Sequence, residues 1–351
     1  MPETPSIEQN NIYWFLRDLG AASFGSFAVK EPDSVLSLGE ELQTHIENSD
    51  SIETIQNTIK ERILGAVNEF HNGRRTQRYA RTENLVKQIN VRIENIEDVR
   101  DLRIACYSVV RTTEVLDSAP EFDKDSVGKV VEATLTDEST QQYNPENAYL
   151  ALEEVDDAGT RLQAGGQNMA LVSYVEDLIS EMDSVDSYTR ARSIAAVTQE
   201  FERRAGNKRK SDAGGVLETA LNSVFGKFDV PVTGSPRHFG DFEIDNLLKT
   251  EQAVIGFSCK RTLRERFRQS LTREADIDID EVWFVPLSTD DISREKVEDI
   301  QHDGGRVYVS RESNEWQEFG GRGGLKALRP GDQFLTDLEK MAGISLNTDL
   351  K

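Results

Sequence analysis

Apolar residues recur every three to four positions through most of residues 11–110, the period of an amphipathic helix. In IETIQNTIKERILGAV, Ile55, Ile59, Ile63 and Val67 fall four apart, which stacks them on one helical face. Ser51, just ahead of Glu53 and Thr54, supplies a start for this helix. Helical spacing returns in LVSYVEDLISEMDSV and RSIAAVTQEFERRAG, and again in GGVLETALNSVFGKF, where Leu217, Leu221, Val224 and Phe225 share a face. The polar, glycine-containing run GNKRKSDAGG is expected to break the helix before that last segment. Beyond it the texture changes. DFEIDNLL (241–248), AVIGFSC (253–259), VWFVP (282–286) and RVYVS (306–310) read as strands, with helical TLRERFRQSL and SREKVEDIQ between the later ones. The pattern predicts an α/β domain with a mixed central sheet flanked by helices, preceded by a mainly helical N-terminal region. We place the boundary near 195–205, giving a helical domain over 1–200 and an α/β domain over 201–351.

Composition changes this picture in two places. Acids (63) outnumber bases (41), and 27 of the bases are arginine, a balance suited to solubility in concentrated salt. Residues 112–160 carry 13 acids against two lysines, so they read as a linker or solvated insertion. Four arginines between 74 and 81 make a local basic stretch on an exposed helix. The net charge of -22 argues against a nucleic-acid partner unless positive charge is gathered at one point. Cys106 and Cys259 lie far apart in apolar runs, neither a disulfide framework nor a zinc pattern, which points to a reducing compartment. No run approaches the ~18 apolar residues of a membrane helix, and MPETPSIEQN has no signal-peptide layout; the expectation is a cytoplasmic protein. The four histidines lie on no ligand or triad spacing, and GGRGGLKALRPG at 320–331 lacks the phosphate-loop pattern and reads as a loop.

The positive charge is gathered in one place. FSCKRTLRERFRQSL (257–271) sets Lys260 at the end of an apolar strand and follows it with four arginines. Alternation puts Ser258 and Lys260 on one face of that strand, with Phe257 and Cys259 on the other. A lysine at the end of a buried strand needs water, an anion or a substrate at its ammonium. Upstream, Asp241, Glu243 and Asp245 share a face of the preceding strand, and Glu218 flanks the apolar stripe of its helix. If these segments converge, two carboxylates and a lysine meet. Carboxylates suit Mg²⁺, and the trio suits metal-assisted phosphodiester cleavage. Thr262 and Glu265 have capping-box spacing, which predicts a helix from Thr262 with Leu263, Phe267 and Leu271 inward and Arg264 and Arg268 together on one flank.

The order Glu218, then Gly240-Asp241-Phe242, then Ser258-Cys259-Lys260 resembles the PD-(D/E)XK nuclease superfamily. More narrowly, KRKSDAGGVLETAL, GDF and CKRTLRERFRQSL look like type II restriction endonucleases with an EcoRII-type catalytic domain, over about residues 205–310. Gly240 stands at the family's proline, and Ser258 stands where most members carry an acid. The resemblance implies a nuclease core that cuts double-stranded DNA at a specific sequence with Mg²⁺, leaving 5′-phosphate and 3′-hydroxyl ends. Asp241, Lys260 and Glu218 would be catalytic, with Asp241 and Glu218 holding the metal and Asp245 the alternative ligand. Arg261, Arg264, Arg266, Arg268 and Gln269, with Lys208, Arg209 and Lys210 on the lead-in, would contact DNA. The N-terminal domain would supply recognition, homodimer contacts or both. A structure-specific repair nuclease and a DNA-binding module with a degenerate site are the alternatives.

Overall fold

In the computed structural model, residues 10–68, 75–183, 185–239, 242–263, 279–321 and 324–350 are described. Helices α1 (Asn11–Gly20), α2 (Phe27–Lys30), α3 (Pro32–Asn48), α4 (Ile52–Asn68), α5 (Arg75–Arg92) and α6 (Ile96–Ser118) come first. Then follow α7 (Lys124–Leu135), a small hairpin of β1 (Thr136–Asp137) and β2 (Gln142–Tyr143), and two long helices, α8 (Ala148–Glu181) and α9 (Ser187–Lys227). The chain forms two compact units: residues 1–120 with 164–208, and residues 121–163 with 209–351. The second unit therefore takes in 121–163, which the sequence reading assigned to the N-terminal domain.

The first unit is helical, as the 3.6-residue period requires. Ile55, Ile59, Ile63 and Val67 are buried together with Leu38, Leu102 and Val109. The Ser51 hydroxyl accepts the Thr54 amide, closing the start of α4. Asn95 and Asp98 form a reciprocal capping box at the start of α6, and Asn11 donates to Asp98 at 2.7 Å, tying α1 to that cap.

The second unit is built on a six-stranded mixed sheet in the order β3-β4-β5-β6-β7-β8. Its strands are β3 (Val232–Phe239), β4 (Phe242–Lys249), β5 (Val254–Thr262), β6 (Glu281–Ser288), β7 (Arg306–Val309) and β8 (Leu328–Pro330). The β3, β4 and β5 neighbours are antiparallel, and β5 through β8 are parallel. Parallel strands need covered faces, and alternation supplies two apolar ones. Ile255, Phe257, Cys259, Trp283 and Val285 join a core with α7, the first half of α8, the second half of α9 and the helix Phe334–Ala342. Val282, Phe284, Val307 and Val309 face the other way, against Val297 and Ile300 of α10 (Arg294–His302). The first core is aromatic at its centre, where Phe225, Phe257, Trp283, Tyr308 and Phe334 pack at ring-centroid distances of 4.9–6.2 Å.

Four expectations are corrected. The acidic stretch 112–160 is not a linker: Val127, Val131 and Leu135 of α7, with Tyr149, Leu152 and Val155 of α8, are buried in the sheet's core, and most of the acids are exposed. GNKRKSDAGG does not interrupt the helix, because α9 is continuous from Ser187 to Lys227. A glycine in a helix costs only about 1 kcal/mol relative to alanine, and the buried stripe at Leu217, Leu221, Val224 and Phe225 outweighs that. Thr262 does not begin a helix; it ends β5, in register with Ser288 of β6. Glu265 and the other residues from 264 to 278 lie outside the described residues. The run 320–331 also contains more than a loop, since Leu328–Pro330 add the strand β8 beside β7.

Candidate functional site

The antiparallel ladder between β4 and β5 carries its register from Lys249↔Val254 up to Asn246↔Phe257. At the next position the backbone pairing gives way to a side chain. The Cys259 amide donates to Asp245 Oδ2 at 2.7 Å, a place where a β4 carbonyl would otherwise accept. The other carboxylate oxygen, Oδ1, accepts from Lys260 Nζ at 2.8 Å. Asp245 is buried, whereas the Lys260 side chain is 42% exposed. The buried anion is therefore compensated by an amide and an ammonium, and the ammonium still reaches solvent. Ser258, opposite Asp245 by the same register, is buried at the foot of this arrangement.

Electrostatics show which other charges gather there. Burial pushes the Cys259 thiol well above its ordinary value, chiefly by desolvation; Asp245, Asp156 and Glu218 raise it further and Lys260 lowers it. One thiol, on the core side of β5, thus feels the acid of β4, the lysine of β5, an acid of α8 and Glu218 of α9. Glu218 is half-buried between Leu217 and Thr219 on that helix.

Arg261, the next residue of β5, is committed to α8. Its Nε donates to both carboxylate oxygens of Asp156 at 3.0 and 3.1 Å, and Nη2 donates to Asp156 Oδ1 at 2.5 Å and to Thr160 at 2.8 Å. Tyr149, at the start of the same helix, donates its hydroxyl to the Pro286 carbonyl at 2.7 Å, fixing α8 to the end of β6. Between these two ties lies Glu153, half-buried, whose carboxyl is pushed up to about 7 by desolvation and by Asp157, Glu154 and Glu312. The folded state thus holds a proton on Glu153 that the unfolded chain releases from about pH 4.5 upward. Stability therefore falls as pH rises through the window 4.5–7. Replacing Glu153 with Gln should leave stability unchanged near pH 4.5 and raise it above pH 7 by about 1 kcal/mol once solvent screening is allowed for; thermal melts of both proteins at pH 4.5 and 8 check this.

Among the residues the sequence named, the structure joins Lys260 to Asp245, the alternative ligand, and brings the charge of Glu218 to the same strand end. Asp241 lies outside the described residues, as do Arg264, Arg266, Arg268 and Gln269 and the side chain of Lys210. Two cations expected on DNA are engaged within the protein: Arg261 by Asp156 because α8 lays its acidic turn alongside β5, and Lys208, whose Nζ donates to the Leu116 carbonyl at 3.2 Å. Arg209 is half-buried on α9. Sequence reasoning missed Asp156, Thr160 and Glu153. The signal was the turn EEVDD at 153–157, where Leu152 and Val155 alternate with acids at helical spacing.

No protein-family model matches the chain, and no curated protein matches it. Among solved structures the chain is similar to metal-depleted Ecl18kI in complex with uncleaved, modified DNA, with a TM-score of 0.49 and 14% identity over 68% of this chain and 85% of that one.

Proposed function

We propose that this protein is a metal-dependent DNA endonuclease, cutting double-stranded DNA at a specific sequence to 5′-phosphate and 3′-hydroxyl ends. The observation that carries the reading is the Asp245–Lys260 pair at 2.8 Å, set where β4 and β5 stop pairing, with the ammonium reaching solvent. A buried carboxylate that holds a solvent-facing lysine at a strand end places one acidic and one cationic group where a single phosphodiester can meet both.

The donor set fits a hard cation. Asp245 and Glu218 offer carboxylate oxygens, the hard donors that such an ion prefers, and Asp245 Oδ1 already faces the Lys260 ammonium. Among the described residues no group of three or more His, Cys, Asp or Glu gathers. Mg²⁺ needs no such cage: one or two carboxylates, waters and the substrate's own phosphate complete its octahedron. Asp245 and Glu218 would hold the ion, and Asp241 keeps the place the sequence gives it as a further ligand. The bound ion would supply neutralisation of phosphate charge and a more acidic water. Lys260 would orient the attacking water and stabilise charge developing on the phosphate oxygens. Ser258 leaves the site one carboxylate short of the usual set, which favours an ion bound largely through water.

One site cuts one strand, so the proposal includes a homodimer for duplex cleavage. Plasmid DNA incubated with the purified protein and Mg²⁺ should give a fixed ladder whose ends ligate and carry 5′-phosphate, and EDTA should abolish it. Nicking confined to branched or damaged substrates would assign a structure-specific nuclease instead. Tight DNA binding with no cleavage in either Mg²⁺ or Mn²⁺ would leave a binding module and overturn the proposal. Among the described residues no helix is long and apolar enough to cross a membrane.

A further inference from the structure

The helical unit carries a half-open cavity of about 800 Å³ that the cleavage chemistry does not use. Its walls come from α3, α6, the end of α8 and the start of α9, and its size falls in the range of small-molecule sites. Leu36, Ile46, Ile104, Leu178, Met182 and Val185 give it an apolar floor. Most lining charges are cancelled locally. Arg100 pairs with Glu97, Arg111 with Glu114 and Asp177, and Asp101 with Arg192. Asp186 caps the Tyr188 and Thr189 amides, and Glu181 stands exposed at the rim, where water screens it.

Arg103 differs from the other arginines of this wall. Its guanidinium lies over the Tyr107 ring at 5.6 Å, and its Nε is buried with no hydrogen-bond partner among the described residues. The ring beneath it is held in place from behind, because a side chain at Gly39 would come within 3.1 Å of Tyr107. In a chain with 63 acids and 41 bases, an arginine stacked on an aromatic ring, and not on a carboxylate, is a cation kept for something else.

We propose that this cavity binds a small organic anion, with an aromatic or branched apolar body on the Leu36–Ile104–Met182 floor and its carboxylate, phosphate or sulfonate on Arg103. The site requires both halves. Apolar area alone would not select charge, and a lone surface arginine would not retain a small anion against water.

A matched pair of fluorescent probes tests this on the full-length protein: 1-anilinonaphthalene-8-sulfonate, an aromatic anion, and N-phenyl-1-naphthylamine, its uncharged counterpart. The sulfonate should bind the folded protein at one saturable site. Arg103→Met should weaken it about tenfold while changing the neutral probe less than about twofold, as removal of one charged contact would. Val185→Trp, which projects an indole into the cavity, should weaken both probes. Should Arg103→Met fail to fold by circular dichroism, Tyr107→Leu serves in its place, since it removes the ring that carries the guanidinium. Equal weakening of both probes by the arginine substitution, unchanged sulfonate affinity, or binding that never saturates would overturn the proposal.

Discussion

Replacing Lys260 with Met should reduce DNA cleavage on the order of 10³-fold while leaving DNA affinity within about twofold. That size is typical when a site loses the one donor aimed at developing phosphate charge. Affinity should persist because it is spread over many phosphate contacts, of which one lysine is a small share. The change also strips Asp245 of its lysine and leaves a buried carboxylate with the Cys259 amide but without that cation. Breaking a fully buried pair costs about 3–5 kcal/mol; here the lysine is 42% exposed, so about 1–3 kcal/mol is expected. Adding Asp245→Asn to the Met variant should restore most of that loss, since a neutral amide no longer needs the cation, yet restore no cleavage. Single-turnover cleavage, filter binding and urea melts on the single and double variants separate the two effects. A Met variant that still cuts at the wild-type rate would remove Lys260 from the chemistry and the nuclease reading with it.

Asp245 gives the second large effect, and its two substitutions should differ. Asp245→Asn keeps an oxygen that can accept the Cys259 amide, so the fold should lose about 1 kcal/mol. Asp245→Ala leaves that buried amide unpaired beside a small cavity, at a cost of about 2–4 kcal/mol. Cleavage should fall by about 10² or more in both, because neither can hold a divalent ion or fix the lysine. Urea midpoints should rank wild type, Asn, Ala, while activity groups Asn with Ala. A stable, fully active Asn variant would place the metal and the lysine's anchor elsewhere.

The parts of this fold that were legible in the sequence are those where burial imposes a period. Ile55, Ile59, Ile63 and Val67 repeat at helical spacing, and VIGFSC and VWFV run apolar because both faces of their strands are covered. Lys260 stood out for the same reason, as a charge ending a buried run. What stayed hidden depends on partners distant in sequence. The β3 segment VTGSPRHF is poor in large apolar residues and becomes a strand only because β4 pairs with it. Three-residue β8 exists only beside β7. Helix α7 looked solvated because it lies in an acid-rich stretch with few large apolar residues, yet three valine and leucine positions suffice to seat it. Asp241 and Asp245 share an alternating face, so sequence ranked them by motif. Asp241 lies outside the described residues; Asp245 accepts a hydrogen bond from a backbone amide fourteen residues away, which no local pattern encodes.

Both border strands of the sheet contain proline: Pro236 in β3, inside the stretch where its register against β4 shifts between Gly234 and Arg237, and Pro330 at the end of three-residue β8. Proline offers no amide hydrogen, and a bulged or very short border gives a foreign chain little to zip onto. Cross-β growth from either rim of the sheet is thereby discouraged, so concentrated solutions should resist fibril seeding, and any pairing of copies would have to run through helices or loops.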